Sequence, residues 1–310
     1  MKIAVAGSTG LVGSAIKTSL QDANWEVIEI NRSVIDLRNL DETRKFLEKV
    51  HPYAVVDAAA IVGGIGANNS KPVEFLSQNL QIQNNLMDAA FHAKVSKFIF
   101  LGSSCIYPRN CPQPIKEEYL MTGPLEKTNS AYAIAKIAGI EMINSYRKQY
   151  QLPWVSVMPT NLYGPKDNFN LETSHVLPAL IRKFVEASES LAETVTLWGT
   201  GNPRRDFLHV QDLAKAVMLV LDKYDDCGPI NIGSGAEVSI RDLAQKVSKA
   251  SKFEGEIVWD TEKPDGTPRK FLDTSLITSL GWKPEISLDD GLAATVAWYQ
   301  QANRNGDLRK

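Results

Sequence analysis

The segment Lys2-Ile3-Ala4-Val5-Ala6-Gly7-Ser8-Thr9-Gly10-Leu11-Val12-Gly13 decides the fold of this 310-residue chain. A short apolar run ends at a glycine turn of the form G-x-x-G-x-x-G, and helical spacing of apolar residues follows over 12–22. Glycines between a strand and a helix allow a tight turn, close packing of the helix on the strand, and close approach of a phosphate to backbone N–H groups. The segment therefore predicts the first βα unit of a parallel sheet, with a phosphate-binding turn.

The same pattern continues through the first half of the chain. Strands are predicted over 2–6, 26–30, 54–57, 97–102 and 154–159. Helices are predicted over 12–22, 41–50, 72–93 and 128–150. Because regular alternation of strands and helices produces parallel βαβ units, we predict an α/β fold with a doubly wound parallel sheet of the Rossmann type.

Beyond residue 165 the alternation becomes irregular. We predict a helix over 176–188, a strand over 194–198, a helix over 211–224 and an Ile-Asn-Ile-Gly turn at 230–233. This half is interpreted as a smaller C-terminal substrate domain that is interleaved with the Rossmann domain. The predicted boundaries are 1–165 for the cofactor-binding domain, to which 206–235 returns, and 166–205 with 236–310 for the substrate domain.

Composition narrows the class of ligand. Lysine plus arginine number 34 and aspartate plus glutamate 36, so no charge excess favours nucleic acid or an anionic membrane surface. The three cysteines, Cys105, Cys111 and Cys227, have neither a metal-site spacing nor the even count of a disulfide framework. The N-terminal apolar run is too short for a signal peptide, and no later run approaches the roughly 20 residues of a membrane span. We therefore expect a cytoplasmic enzyme that acts on a small molecule and holds no metal.

The glycine turn and the end of the second strand indicate NADP as the cofactor. All seven residues of the turn are candidates for contact with the dinucleotide: Gly7, Ser8, Thr9, Gly10, Leu11, Val12 and Gly13. Arg32 follows the second strand, where NAD-binding proteins usually place an acidic residue for the ribose hydroxyls. A guanidinium suits the 2′-phosphate of NADP instead, although an arginine after a strand is also compatible with an ordinary surface charge.

A tyrosine and a lysine four residues apart indicate reductase chemistry. Tyr132 and Lys136 lie near the start of a predicted helix, and their spacing puts the phenol and the ammonium on the same helical face. We expect the lysine charge, together with oxidised nicotinamide, to lower the tyrosine pKa, so that the phenol donates a proton to a carbonyl as hydride arrives. Lys136 is also expected to hold the nicotinamide ribose.

Three further loops follow predicted strands, at the carboxyl edge of the sheet where open α/β folds bind their ligands. They cover 62–69, 101–108 and 159–165. Within the second loop, the hydroxyl of Ser103 is placed to polarise a substrate carbonyl. The expected cofactor contacts from the second and third loops are Leu101, Gly102, Ser103, Ser104, Pro159, Thr160, Asn161 and Leu162. Convergence of these loops with the glycine turn at one edge is a stronger indication than any single motif.

Five motifs carry a resemblance to a known family. They are GSSCIYP (102–108), SAYAIAKIAG (130–139), VMPTNLYGP (157–165), SHVLPAL (174–180) and KPDGTPRK (263–270). Together they resemble the GDP-L-fucose synthases, which are extended short-chain dehydrogenases/reductases, over nearly the whole chain. The resemblance implies a Rossmann domain, a smaller C-terminal GDP-sugar domain, NADPH as hydride donor, and a homodimer formed through helices 72–93 and 128–150.

The resemblance also implies roles for particular residues. Ser103, Tyr132 and Lys136 would form the reductase triad, while Cys105 and His175 would move protons during epimerisation, with His175 also beside the cofactor. Contacts with the GDP-sugar would come from Lys183, Trp198, Arg205, Asp265, Arg269 and Lys270. A carbonyl at sugar carbon 4 acidifies the protons at carbons 3 and 5, so a thiol and an imidazole on opposite faces of the ring suit their removal and return.

The implied activity is conversion of GDP-4-keto-6-deoxy-D-mannose to GDP-L-fucose, by 3,5-epimerisation and NADPH-dependent 4-reduction. Thr9 and Lys183 depart from the family pattern, since arginine is more familiar at both positions, and these changes are expected to weaken the 2′-phosphate and diphosphate contacts. Three alternatives stay open: a 4-reductase acting on another GDP-4-keto sugar such as a dideoxyhexose or heptose, a UDP-sugar 4-epimerase with tightly held NAD, and a non-catalytic NADP-binding regulator.

Overall fold

The structure is a computed structural model that describes residues 1–263 and 265–308. Its strands are β1 (Lys2–Ala6), β2 (Glu26–Ile30), β3 (Ala54–Asp57), β4 (Lys97–Leu101), β5 (Val155–Pro159), β6 (Asn161–Tyr163), β7 (Thr194–Trp198), β8 (Arg204–His209), β9 (Pro229–Ile232), β10 (Glu237–Ser239), β11 (Glu256–Asp260) and β12 (Arg269–Lys270). Its helices are α1 (Leu11–Asp22), α2 (Leu40–Val50), α3 (Ile65–Ser70), α4 (Pro72–His92), α5 (Ser130–Tyr150), α6 (Val176–Glu189), α7 (Val210–Lys223), α8 (Ile240–Ala250), α9 (Ser275–Ser279) and α10 (Leu288–Asn305).

Six parallel strands form the main sheet, in the spatial order β2-β1-β3-β4-β5-β9. The residues of β3, β4 and β5 are all buried, which explains why these strands are continuous apolar runs rather than alternating ones. Helices α2, α4 and α5 pack on one face of the sheet, and α1 and α7 pack on the other. The predicted doubly wound Rossmann fold is confirmed.

The predicted turn at 230–233 is wrong, because Pro229–Ile232 forms β9 and pairs with β5 at the edge of the main sheet. Ile230 and Ile232 are fully buried against the sheet. Asn231, the residue that suggested a turn, is buried and satisfied, since its amide accepts a hydrogen bond from the Tyr107 hydroxyl (2.7 Å) and donates one to the Ile115 carbonyl (2.9 Å). A buried asparagine with both groups bonded is compatible with a strand.

Two segments expected to be loops contain short regular elements. The predicted loop over 62–69 contains the start of helix α3. The segment expected to carry Asp265, Arg269 and Lys270 as a loop ends in the two-residue strand β12, which pairs with β8. Pro264, in the same predicted loop, lies outside the described residues.

The second half of the chain forms two smaller sheets beside the main one. Strand β8 pairs with β6, β10 and β12, and β7 pairs with β11. Helices α6, α8 and α10 surround a separate apolar cluster that includes Phe169, Phe184 and Tyr299. Across residues 1–263 and 265–308, no helix is long and apolar enough to cross a membrane.

Candidate active site

The glycine turn between β1 and α1 presents the N-terminus of α1 to a ligand, while the backbone N–H groups of Gly7, Ser8 and Gly10 are bonded to the Ile30 and Gly7 carbonyls. Gly7 has a positive φ of 75°, a conformation that favours glycine. A Cβ atom on Gly13 would lie 2.1 Å from the Gly7 carbonyl oxygen, so only glycine allows α1 to pack this close to the turn. Gly10 precedes α1, and neither a capping side chain nor an acidic first-turn residue occupies the helix N-terminus. This arrangement fits a dinucleotide pyrophosphate.

The end of β2 lies beside this turn. The Asn31 amide lies 3.4 Å from the Ser8 hydroxyl, at the outer limit of a hydrogen bond, and accepts hydrogen bonds from both the backbone N–H and the hydroxyl of Ser33. Arg32 is exposed, as is Thr9 across the turn. The Arg32 charge is therefore free to meet a 2′-phosphate at the surface, but no second arginine stands at Thr9 to share it.

The candidate reductase triad lies at the carboxyl edge of β4. Ser103 follows the strand, and its hydroxyl accepts a hydrogen bond from the Cys105 backbone N–H (3.2 Å). Tyr132 and Lys136, both on α5, are buried. The Lys136 ammonium donates a hydrogen bond to the Leu101 carbonyl (2.8 Å), and its Nζ atom lies 4.5 Å from the centroid of the Phe100 ring. Helix α5 therefore brings both groups to the loop that carries Ser103.

Burial controls the titration of the two α5 groups. It raises the pKa of the Tyr132 phenol, as does the nearby Cys105, while the Ser103 hydroxyl opposes the rise. The predicted lowering of this pKa requires oxidised nicotinamide as well as Lys136, and it stays a prediction for the enzyme with cofactor bound. Burial also lowers the pKa of Lys136 to about 8, against the carboxylate of Asp57, which raises it.

Cys105 lies in a positively charged environment. Burial raises the pKa of its thiol, but Lys270, Ser103 and Arg205 outweigh burial, and the pKa ends below its ordinary value. The Cys105 carbonyl also accepts a hydrogen bond from the Asn129 amide (3.2 Å). A lowered pKa increases the thiolate fraction near neutral pH and suits a base.

Strand pairing brings the two cations to Cys105 from distant parts of the sequence. Lys270 of β12 is paired in register with Arg205 of β8. The chain just beyond β12 then runs beside the loop after β4, where the Ile115 backbone N–H donates to the Phe271 carbonyl (2.7 Å) and the Asp273 N–H donates to the Ile115 carbonyl (2.8 Å). Lys270 and Arg205, from the second half of the sequence, thus contribute to the electrostatic environment of Cys105 in the first half.

His175 immediately precedes α6 and does not cap it. The segment before it is held by the loop after β3, because the Gly64 N–H donates to the Thr173 carbonyl (2.9 Å) and a Cβ on Gly64 would lie 2.4 Å from the Ser174 carbonyl oxygen. Part of the His175 side chain reaches solvent. Loss of hydration and the Lys270 charge nevertheless lower the pKa of its imidazole. His175 and Cys105 therefore share Lys270 as an electrostatic neighbour.

The loop after β5 is fixed by contacts with β8. The Thr160 hydroxyl (3.1 Å) and the Asn161 amide (2.8 Å) both donate to the Asp206 carbonyl. The Gly102 N–H donates to the Val157 carbonyl (2.8 Å), which joins the loops after β4 and β5. The expected cofactor contacts from these two loops thus meet at one edge of the sheet.

The expected GDP-sugar residues fall into two groups. Arg205 and Lys270 lie beside Cys105, whereas Lys183, Trp198, Asp265 and Arg269 face other partners. Lys183 donates to the Thr196 carbonyl (3.3 Å), and Trp198 is 70% exposed. Asp265 accepts hydrogen bonds from the backbone N–H (2.9 Å) and hydroxyl (2.7 Å) of Thr200. Arg269 forms an ion pair with Glu237 (2.7 Å).

Sequence reasoning missed Asp57 and Asn129. Asp57 ends a buried strand, and nothing in the local sequence shows that Lys136 approaches it from α5. Asn129 precedes a helix and looks like an ordinary cap, although its amide bonds the Cys105 carbonyl. Among the described residues, no group of three or more His, Cys, Asp or Glu side chains is arranged to hold a metal ion.

A Rossmann sheet with a serine, a tyrosine and a lysine at its carboxyl edge defines a dinucleotide-dependent oxidoreductase of the short-chain type. The model of the NAD dependent epimerase/dehydratase family matches residues 3–233. The putative GDP-L-fucose synthase 2 of Arabidopsis thaliana is 53% identical over 299 residues, which cover 96% of this chain and 91% of the relative. The chain belongs to the NAD dependent epimerase/dehydratase family and, within it, to the GDP-L-fucose synthases.

Two solved structures show the same fold over the whole chain. A GDP-L-fucose synthetase from Naegleria fowleri bound to NADP superposes with a TM-score of 0.91 at 30% identity, covering 100% of this chain and 96% of the other. A GDP-6-OMe-4-keto-L-xylo-heptose reductase from C. jejuni superposes with a TM-score of 0.91 at 34% identity, covering 97% of this chain and 98% of the other. The resemblance that the sequence motifs predict is confirmed.

Proposed function

We propose that the protein converts GDP-4-keto-6-deoxy-D-mannose to GDP-L-fucose, as a 3,5-epimerase and NADPH-dependent 4-reductase. The position of Cys105 is the observation that carries this proposal. The Lys270 charge lowers the pKa of its thiol, and Cys105 lies in the same loop as Ser103, to which its backbone N–H donates a hydrogen bond. A reductase alone needs the triad but has no use for an activated thiol. The identity with a relative named GDP-L-fucose synthase supports the same substrate.

NADPH is the proposed hydride donor. The open N-terminus of α1 would receive the pyrophosphate and Arg32 the 2′-phosphate, with Lys136 at the nicotinamide ribose. The remaining proposed contacts are the turn residues Gly7 to Gly13, the residues 101–104 and 159–162, and His175. The N. fowleri relative, which has NADP bound, supports this choice.

Reduction uses the proton held by Tyr132. The Ser103 and Tyr132 hydroxyls would hold the carbonyl oxygen at sugar carbon 4, and the phenol donates its proton to that oxygen. The bound cofactor, when reduced, supplies the hydride to carbon 4. Burial disfavours the phenolate that remains, and the Lys136 charge would stabilise it.

Epimerisation precedes reduction and uses Cys105 and His175. The carbon 4 carbonyl withdraws electrons, so a base removes the proton at carbon 3 or 5 and leaves an enolate on the sugar. A proton then returns to the opposite face of that carbon. The lowered pKa of the Cys105 thiol favours its thiolate as the base, and the lowered pKa of the His175 imidazole makes its protonated form a stronger acid for the return of the proton. Lys270 and Arg205 would lie near the enolate or diphosphate charge, and Lys183, Trp198, Asp265 and Arg269 are the other proposed GDP-sugar contacts.

A second candidate is a 4-reductase that acts on another GDP-4-keto sugar, such as a dideoxyhexose or a heptose. The C. jejuni structure, a heptose reductase with a TM-score of 0.91, favours it. The two candidates differ in whether protons at carbons 3 and 5 exchange with solvent.

The test is incubation of purified enzyme with GDP-4-keto-6-deoxymannose and NADPH in heavy water. Cofactor absorbance reports reduction, and NMR of the sugar reports exchange. The proposal expects GDP-L-fucose with deuterium at carbons 3 and 5. Consumption of NADPH without exchange would leave a simple 4-reductase, and no reaction would exclude this substrate.

We also propose a cytoplasmic homodimer formed through α4 and α5, and the domain division 1–165 with 206–235 against 166–205 with 236–310. The position of β9 in the main sheet supports the return of 206–235 to the first domain. Val73 on α4 (71% exposed) and Ile134 on α5 (49% exposed) are apolar side chains that a dimer would cover.

Light scattering tests the dimer. The expected mass is about twice the 34.2 kDa of one chain. Ile134→Glu should shift it toward one chain, because burying an unpaired carboxylate disfavours association. Val258→Glu, at another exposed apolar position (38%) on β11, is the control and should leave the mass unchanged. A wild-type mass of 34 kDa would refute the dimer.

A further inference from the structure

A buried carboxylate that the proposed reaction does not use lies close to Lys136. Asp57 is the last residue of β3 and is fully buried. Its Oδ1 atom accepts a hydrogen bond from the Ala59 backbone N–H (3.1 Å). Within the part of the chain that the structure describes, its Oδ2 atom has no hydrogen-bond partner. A buried carboxylate with an unpaired oxygen is destabilising unless a nearby positive charge compensates it.

The register of the main sheet puts this carboxylate on the face that Lys136 covers. Asp57 of β3 is paired with Phe100 of β4, and side chains paired across neighbouring strands project from the same face. The Lys136 Nζ atom lies 4.5 Å from the centroid of the Phe100 ring. Asp57 and Lys136 are therefore buried neighbours, although no direct ion pair joins these two described residues.

Among the described residues, Asp57 is the one charged group whose electrostatic effect on Lys136 is resolved. Helix α4 contributes the Gln83 amide, which donates to the Ala135 carbonyl (2.7 Å), and β4 contributes the Phe100 ring and the Leu101 carbonyl. The Cys105 thiol and the Tyr132 phenol are further titratable groups of the candidate site, and both are negative when ionised. Asp57, at the end of β3, is the carboxylate whose charge raises the Lys136 pKa.

We propose that Asp57 is a positioning residue that keeps Lys136 protonated in a site from which water is excluded. A lysine in such a site otherwise loses its proton, because burial lowers its pKa, here to about 8, and the Asp57 carboxylate opposes that fall. The role of Lys136 beside Tyr132 rests on the proposed function. The effect of Asp57 on the titration of Lys136 does not depend on the proposed function.

The direct test is an NMR titration of Lys136 in the protein without substrate or cofactor, labelled with carbon-13 at the lysine Cε positions. Lys136→Arg identifies the signal by its disappearance. In Asp57→Asn the midpoint of this signal should fall by about one pH unit relative to wild type. If Asp57→Asn does not fold, Asp57→Ser removes the same charge with a smaller side chain and should give the same shift.

Asp212→Asn is the matched control. Asp212 is also fully buried, with one carboxylate oxygen bonded to a backbone N–H (Ile286, 2.9 Å) and the other without a partner among the described residues. It lies on α7, on the opposite face of the sheet from Lys136. Its substitution should leave the Lys136 midpoint at the wild-type value. An unchanged midpoint in the Asp57 variants overturns the inference.

A second readout uses turnover. The alkaline limb of kcat/KM for reduction should move to lower pH in Asp57→Asn by the same amount as the Lys136 midpoint, and Asp212→Asn should not move it. If no keto sugar is turned over, the proposed function fails and the NMR titration still decides the role of Asp57. If Asp57→Asn turns over a keto sugar but neither the alkaline limb of kcat/KM nor the Lys136 midpoint moves, the positioning role of Asp57 is rejected and the proposed function stands.

Discussion

At the scale of single residues, the phenol of Tyr132 is the proposed proton donor for reduction. Tyr132→Phe removes the hydroxyl and keeps the ring that packs edge-on against Phe75 (centroids 6.5 Å apart). We expect kcat for NADPH oxidation to fall about 10²- to 10⁴-fold, the usual range for loss of a general acid. The dissociation constant of NADPH should stay within a few-fold, and a variant that keeps wild-type turnover would remove Tyr132 from the mechanism.

Cys105 separates the two halves of the proposed reaction. In Cys105→Ser, exchange of deuterium from heavy water into the sugar should fall to background, since a serine hydroxyl is a far weaker acid than a thiol whose pKa the surrounding cations lower. Hydride transfer should survive. Cys111→Ser, at the other partly buried cysteine, should exchange like wild type. Persistent exchange in Cys105→Ser would assign the proton transfers to another group.

At the scale of elements, the contact of α1 with the glycine turn leaves no room for a side chain. Gly13→Ala places a Cβ 2.1 Å from the Gly7 carbonyl oxygen, so α1 must move away from the cofactor. We expect a loss of several kcal/mol in the free energy of unfolding and at least tenfold weaker NADPH binding. Gly66→Ala on α3, where the nearest atom would be 3.7 Å away, is the control and should be neutral or stabilising.

The elements also show what the sequence predicts and what it does not. The five first-half strands are found within one residue of their predicted bounds, because each is rich in apolar or β-branched residues and depends on local chemistry. Strand β9 was missed since its Asn231 is satisfied only by Tyr107 and Ile115, more than a hundred residues away. For the same reason, motifs predict the triad and Cys105 but not that Asp57 faces Lys136.

At the scale of the whole molecule, Asp57 links the active site to stability. Its pKa rises from 3.8 to about 6, chiefly through burial, so the folded protein binds a proton more tightly than the unfolded chain does. This contribution is fully present below about pH 4 and is lost as the pH rises through about 6. A shift of about two units corresponds to about 3 kcal/mol.

Urea unfolding of wild type and Asp57→Asn at several pH values measures this pH-dependent contribution of Asp57 to stability. The free energy of unfolding of wild type, relative to the variant, should fall by about 3 kcal/mol between about pH 3 and about pH 7. Asp206→Asn serves as a comparison, because burial also raises the pKa of Asp206 to about 6 without Lys136 as a neighbour. A pH-independent difference between wild type and Asp57→Asn would show that Asp57 ionises alike in both states.

Because β12 pairs with β8, the two proposed activities depend on residues from different parts of the chain. The reductase triad lies within residues 103–136, whereas the cations that activate Cys105 come from Arg205 and Lys270. A single substitution at Lys270 therefore changes the thiol without touching a reductase group. On the proposed roles, one substitution at Lys270 would turn a bifunctional enzyme of this kind into a simple 4-reductase.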